Sequence, residues 1–143
     1  MTTTTSDDPR ALHDQYVAMW NEPDPTRRHL MVDELFSVDA VHRLLPPSEM
    51  VEQARQLGFP TAILEVSDRA EMRERVDRAY EEFVADGQHN FRTAGTPQRL
   101  GPMFKLDWEM YVVATNEIAG RGTEVLTIGA DRRIQSDYQF IDP

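Results

Sequence analysis

Met103-Phe104-Lys105-Leu106-Asp107-Trp108-Glu109-Met110-Tyr111-Val112 alternates apolar and polar side chains almost without a break. Phe104, Leu106, Trp108, Met110 and Val112 share one parity, and Lys105, Asp107, Glu109 and Tyr111 share the other. A period of two marks a strand with one face buried, so residues 103–115 read as a long strand. Downstream, Glu124, Leu126 and Ile128 alternate against Thr123, Val125 and Thr127. The turn Gly129-Ala130-Asp131-Arg132 then leads to Ile134, Ser136, Tyr138 and Phe140, opposed by Gln135, Asp137 and Gln139. Three strands with short connections and one apolar face predict an antiparallel meander. Residues 88–93 read as a further strand, followed by a Gly- and Pro-containing loop over 94–102.

Outward from the meander, towards the N-terminus, the period becomes helical. Asp8-Pro9 is an N-cap followed by proline at the first helical position, and Leu12, Tyr16, Met19 and Trp20 repeat on one face. Asp24-Pro25 repeats the start signal, with Leu30, Met31 and Leu35 as the expected buried stripe. The two short helices are expected to form a hairpin. Residues 36–43 read as a short extended segment with Val38, Ala40 and His42 on one side. Leu44-Leu45-Pro46-Pro47 cannot continue a helix. Ser48 begins a possible short helix closed by Gly58. The strongest helix runs from Ser67 or Asp68 to Asp86-Gly87, with Met72, Val76, Ala79, Tyr80 and Phe83 inward and Glu and Arg opposite. Helices first and sheet afterwards make the fold class α+β, the helices stacked on the apolar sheet face.

The 143 residues suit one domain, expected over 7–143, with residues 1–6 as a disordered polar tail. Hydrophobic residues at 40% and charged residues at 28% fit a globular chain. A net charge of −10 argues against a nucleic-acid partner, since phosphate contact needs a basic surface. No apolar run approaches a membrane span, so no membrane partner is expected, and a cytoplasmic location is the default. With no cysteine there is no thiolate nucleophile and no Cys-type zinc site. No metal, nucleotide or other cofactor is implied by any motif.

The ordered set of segments resembles the nuclear transport factor 2-like (NTF2-like) superfamily, especially its branch similar to SnoaL polyketide cyclases and ketosteroid isomerases. Tyr16-Val17-Ala18-Met19-Trp20-Asn21, with a second helix ending Glu34-Leu35-Phe36-Ser37-Val38-Asp39-Ala40-Val41, looks like that family's opening. Lys105-Leu106-Asp107-Trp108 resembles its central strand, and Asp131-Arg132-Arg133-Ile134 through Phe140-Ile141-Asp142-Pro143 its closing turn and last strand. The resemblance implies a cone-shaped, curved antiparallel sheet wrapped around N-terminal helices (the cystatin-like arrangement) with a pocket inside. It also implies a small hydrophobic ligand, and a homodimer as is common in the family.

Fold does not choose function, so the residues must. Tyr16 matches the position where isomerase-like members place an oxyanion-stabilising tyrosine; the same residue also reads as an ordinary core tyrosine. The carboxylate base that such chemistry needs would fall near Leu44, where the sequence has none. His42 shares parity with Ala40 and is the candidate for proton transfer near neutral pH. Glu124 is an inward carboxylate on an apolar face, where burial raises a pKa and suits acid–base work. These three form the candidate catalytic set. Trp20, Trp108, Tyr138 and Asn90 are the candidate ligand contacts, with Asp137, Lys105 and Asp107 expected on the outer face and a surface ion pair expected between the last two. His13, His29 and His89 read as surface or strand-edge residues. Residues 44–66 are expected to lie over the mouth of the cone. Two functions fit: a cofactor-free cyclase or isomerase on a carbonyl-bearing hydrophobic molecule, or a non-catalytic binding or scaffold protein.

Overall fold

A computed structural model describes residues 8–45, 52, 55–57 and 64–142. The Asp-Pro signals start two helices. The Asp8 carboxylate accepts from the Arg10 amide and opens α1 (Pro9–Asn21). Asp24 accepts from the Thr26 amide and opens α2 (Pro25–Leu35). Asp68 caps the third helix, α3 (Arg69–Ala79), by accepting from the Glu71 amide at 2.8 Å. A π-helical turn, Tyr80–Val84, continues α3 and sets Phe83 and Val84. No helix among the described residues is long and apolar enough to cross a membrane.

Six strands form one curved sheet: β1 (Phe36–Leu45), β2 (Leu64–Val66), β3 (His89–Leu100), β4 (Met103–Val112), β5 (Ile118–Ile128) and β6 (Ile134–Ile141). Their order across the sheet is β2-β1-β6-β5-β4-β3. The C-terminal meander β3-β4-β5-β6 is antiparallel as expected. The sheet as a whole is mixed, because β1 runs parallel to β6. The whole meander separates these two strands in sequence, and a connection that long can return the chain in either sense. The helices cover the apolar face, where Leu12, Met19, Val32, Phe36, Met72 and Leu126 are among the core.

Several expectations change in detail. Residues 94–100 are strand and not loop: β3 continues to Leu100 across an irregularity between Ala94 and Gln98, and only a tight turn joins it to β4. Leu30 is exposed and Arg28 is buried in its place, because Arg28 donates to the Glu22 carbonyl and to Asp77. Val38 is also exposed; β1 bulges between Phe36 and Val41, so parity holds only from Ala40 onward through His42 and Leu44. His13 is 1% exposed, with Nε2 lying 2.6 Å from the Asp107 carbonyl oxygen, which ties α1 to β4.

The largest change concerns β6. Ile128 pairs with Ile134, but Thr127 pairs with Ser136, so Gln135 is one residue too many. That bulge reverses the parity that simple alternation assigns to the rest of the strand. Asp137 and Gln139 point into the core, while Ser136, Tyr138 and Phe140 point out. The expected helix over 48–57, the polar tail and the placement of 44–66 over the mouth lie largely outside the described residues, although Leu64–Val66 pairs with β1 at the sheet edge.

Candidate active site

Between the helices and the inner sheet face lies a cavity of about 680 Å³. Tyr16, Val17 and Trp20 of α1, Arg75 and Ala79 of α3, and Phe83 line one side. Phe91, Trp108, Met110, Glu124 and Gln139 line the other. Its walls are mostly aromatic and aliphatic, with few polar groups, and its size suits a small organic molecule.

Glu124 is the polar floor. Strand pairing sets it between Leu106 on β4 and Gln139 on β6, and it is 0% exposed. The Trp108 indole N–H donates to its Oε2 at 2.8 Å. Gly122 makes this bond feasible. It is the cross-strand partner of Trp108, and a Cβ there would overlap the indole ring and stand 3.0 Å from the Phe140 carbonyl oxygen. Only a glycine lets the ring lie flat over β5 and aim its N–H two residues along.

Tyr16 descends from α1 onto two carboxylates. Its hydroxyl oxygen lies 2.7 Å from Glu124 Oε1 and 2.6 Å from Asp137 Oδ2. A phenol carries one proton and can donate to only one of them. Two short oxygen–oxygen contacts therefore need a second proton, and a neutral Glu124 carboxyl supplies it by donating to the phenol oxygen while Tyr16 donates to ionised Asp137. The electrostatics agree. Burial, then repulsion from Asp137, pushes the Glu124 pKa well above the ordinary carboxylate range. Burial also pushes Asp137 up, but attraction to His42 together with hydrogen bonding outweighs it and leaves its pKa lowered. The Tyr16 pKa is raised by burial and by both carboxylates, which keeps the phenol protonated.

His42 lies behind this front. It pairs in register with Asp137, and its Nδ1 is 3.0 Å from Asp137 Oδ2, close enough for an ion pair but without the alignment of a straight hydrogen bond. Neither His42 nor Asp137 lines the cavity. Donor atoms of His42, Glu124 and Asp137 lie within 4.8 Å of one another, a spacing that a divalent ion could span. The Tyr16 hydroxyl stands between the two carboxylates, where a bridging ion would sit.

The structure thus gathers Tyr16, Glu124 and His42 into one buried network, with Trp20 and Trp108 beside it. Trp20 packs against Tyr16, His42 and Phe91 at ring-centroid distances of 6.1, 6.4 and 6.4 Å. Tyr138 is not part of it: it faces outward, where Arg43 stacks on its ring and donates to its hydroxyl at 3.3 Å. Asn90 is not among the cavity residues either, since Phe91 takes the inward parity of β3 and meets Trp108 edge-on. Asp107 is outward as expected, but it accepts from the Thr123 hydroxyl instead of pairing with Lys105. Sequence reading missed Asp137, hidden by the bulge, and Arg75, counted with the solvated Glu/Arg face of its helix. The spacing of Met72, Arg75 and Ala79 was the available signal, since residues three and four apart share a helix face.

No protein-family model matches the sequence, and no curated protein matches it significantly. Among solved structures, a putative isomerase of the SnoaL-like family from Agrobacterium tumefaciens superposes with a TM-score of 0.73 at 20% identity, covering 94% of this chain and 97% of that one. A SnoaL-like protein of unknown function from Burkholderia thailandensis gives a TM-score of 0.63 at 11% identity, over 94% and 95% of the two chains. A putative polyketide cyclase from Sinorhizobium meliloti gives 0.57 at 14% identity, over 92% and 98%. Helices, sheet order and cavity together give this chain the NTF2-like fold, in the form seen in SnoaL-like proteins.

Proposed function

We propose that the protein is a cofactor-free acid–base catalyst acting on a hydrophobic, carbonyl-bearing molecule held in the cavity. The observation that carries this reading is a buried Glu124 in the wall of an apolar cavity, its pKa raised by burial, joined through the Tyr16 hydroxyl to Asp137, whose pKa is lowered. Glu124 gives its proton to the ligand carbonyl oxygen while water takes an α-proton, so that the C–H bond breaks as the O–H bond of the enol forms and Glu124 is left as a carboxylate. The Tyr16 proton, first given to Asp137, then turns to Glu124, while Trp108 continues to donate to Oε2. Trp108, already in place, and Tyr16, which turns, thus hold the conjugate base without reorganising solvent. His42, with Nδ1 3.0 Å from Asp137 Oδ2, favours the ionised form of Asp137 and acts as a positioning residue.

Non-catalytic binding is the second reading. It rests on one observation: both Glu124 oxygens already hold partners. The two readings separate in deuterium oxide with 2-tetralone, a bicyclic ketone whose α-carbon protons exchange when its carbonyl is activated. The wild type is expected to accelerate exchange over buffer, and Glu124→Gln to lose about 100-fold of that acceleration. A wild-type rate equal to that of buffer would favour the binding protein.

A further inference from the structure

Arg75 is a cation in a place where the protein gives it nothing to neutralise. It lines the cavity from α3, and its guanidinium stacks over Trp20 with the central carbon 5.3 Å from the ring centroid. Its Nε is buried with no hydrogen-bond partner. Among the described residues it makes no ion pair, whereas Arg28, Arg69, Arg73, Arg92 and Arg121 all do. A desolvated, unpaired guanidinium is costly, and a chain rich in carboxylates has had ample means to pair it.

The other charged groups of the cavity do not answer it. Arg121 is engaged with Glu109 and sits with Asp142 at the strand ends. Glu124 is pushed towards its neutral form by burial and by Asp137, and its two carboxyl oxygens already face Tyr16 and Trp108. Asp137 is ionised but lies behind Glu124, outside the cavity wall. Burial accordingly lowers the Arg75 pKa from its usual value. Arg75 thus presents to the cavity a positive, planar, hydrogen-bonding group without an ion pair, beside the Trp20 ring.

We propose that Arg75 is the anchor for a carboxylate on the ligand, so that the cavity takes flat hydrophobic carboxylic acids. A guanidinium offers two parallel N–H donors that match a carboxylate in one plane. Trp20 packs against the guanidinium, and Arg75 lines the cavity. Phe91, Trp108 and Met110 then receive the apolar body, and a carbonyl elsewhere on it meets Glu124. A neutral Glu124 is part of the same design, since an ionised one would itself neutralise Arg75 and repel the ligand. This inference rests on the cavity being the ligand site, as proposed above, and adds the charge and shape of what it takes.

Calorimetric titration of the full chain with 2-naphthoate and with its neutral isostere 2-naphthamide tests it. The wild type is expected to prefer naphthoate by about tenfold or more. Arg75→Met should erase the preference while leaving naphthamide binding nearly unchanged, and Arg75→Lys should restore part of it. The melting temperature of unliganded Arg75→Met should match or exceed the wild type, because a partly buried, unpaired charge is gone. Equal binding of the two probes to the wild type, a preference that survives in Arg75→Met, or no binding of either would overturn the proposal. The outcomes also separate the two claims. Lost preference with Glu124-dependent exchange of 2-tetralone intact removes the anchor alone, and preference without exchange removes the acid–base chemistry alone.

Discussion

Two sets of charged side chains, built from the same residue types, are treated in opposite ways. Along the seam between α2 and α3, Asp33 accepts from Arg73 at 2.8 and 2.7 Å and lies 3.5 Å from Arg69. Asp77 pairs there with Arg28 and His29 at 2.9 and 2.7 Å. Most of these groups stay partly in water, and each anion has two basic partners. At the cavity, Glu124, Asp137 and His42 are buried and Arg75 is half-buried beside Trp20, and Asp137 Oδ1, both His42 nitrogens and Arg75 Nε lack hydrogen-bond partners. The seam spends its charges on holding helices together. The cluster keeps its charges underused, which makes sense where a ligand or a proton in transit completes the set.

The contrast can be broken at several points. Asp137→Ala should cost the most, about 3 kcal/mol, because it strips a buried network of its anion. Urea unfolding measures it, and a loss no larger than that of a surface substitution would mean that the network is not coupled. Gly122→Ala comes next, at about 1–3 kcal/mol, since the new methyl displaces the Trp108 indole and breaks its bond to Glu124. A shift in tryptophan emission should accompany the loss; unchanged emission would show that the ring had another place to go.

Glu124→Gln tests the protonation state. The folded pKa of Glu124 lies above its ordinary value of 4.5, so ionising it works against folding as pH rises from there through the folded value. A neutral amide keeps an acceptor for Trp108 and a donor for Tyr16 without that penalty. The stability of the Gln variant relative to wild type should therefore improve as pH rises above about 4.5. Asp137 has the opposite sign: its contribution is present above its ordinary 3.8 and is lost as pH falls through its lower folded value. The smallest effect belongs to the seam. Asp33→Asn should cost about 1 kcal/mol or less and lose that difference in high salt, as partly exposed pairs do.

Much of this architecture was legible in the alternation and the caps. Asp8-Pro9 and Asp24-Pro25 mark true helix starts, and the parity of β4 and β5 places Trp108 and Glu124 inward as read. Tyr16 and Trp20 followed from helical spacing. What failed did so for identifiable reasons. Gln135 is neither glycine nor proline, so nothing local announces a bulge, and alternation counted straight through it into the wrong assignment for Asp137 and Tyr138. Arg28 and Arg75 look like surface residues by type, and only tertiary partners reveal that one is buried in an ion pair and the other turned to a cavity. Long-range pairing is absent from a periodic pattern, and that is where the site's second carboxylate and its cation were hidden.

The bulge at Gln135 has a further consequence, for how such a site can change over time. Ile134 and Asp137 are three residues apart and both face inward, which an uninterrupted strand forbids. Straightening the strand at constant length would turn Ser136, Tyr138 and Phe140 to the cavity and replace a carboxylate and an amide by a hydroxyl, a phenol and a phenyl ring. Deleting Gln135 outright would instead restore regular alternation with Asp137 and Gln139 still inward. The irregularity therefore works as a phase shifter. It lets the chain absorb a change of length without disturbing the chemistry, and it holds in reserve a second, aromatic floor written into the same eight residues of β6.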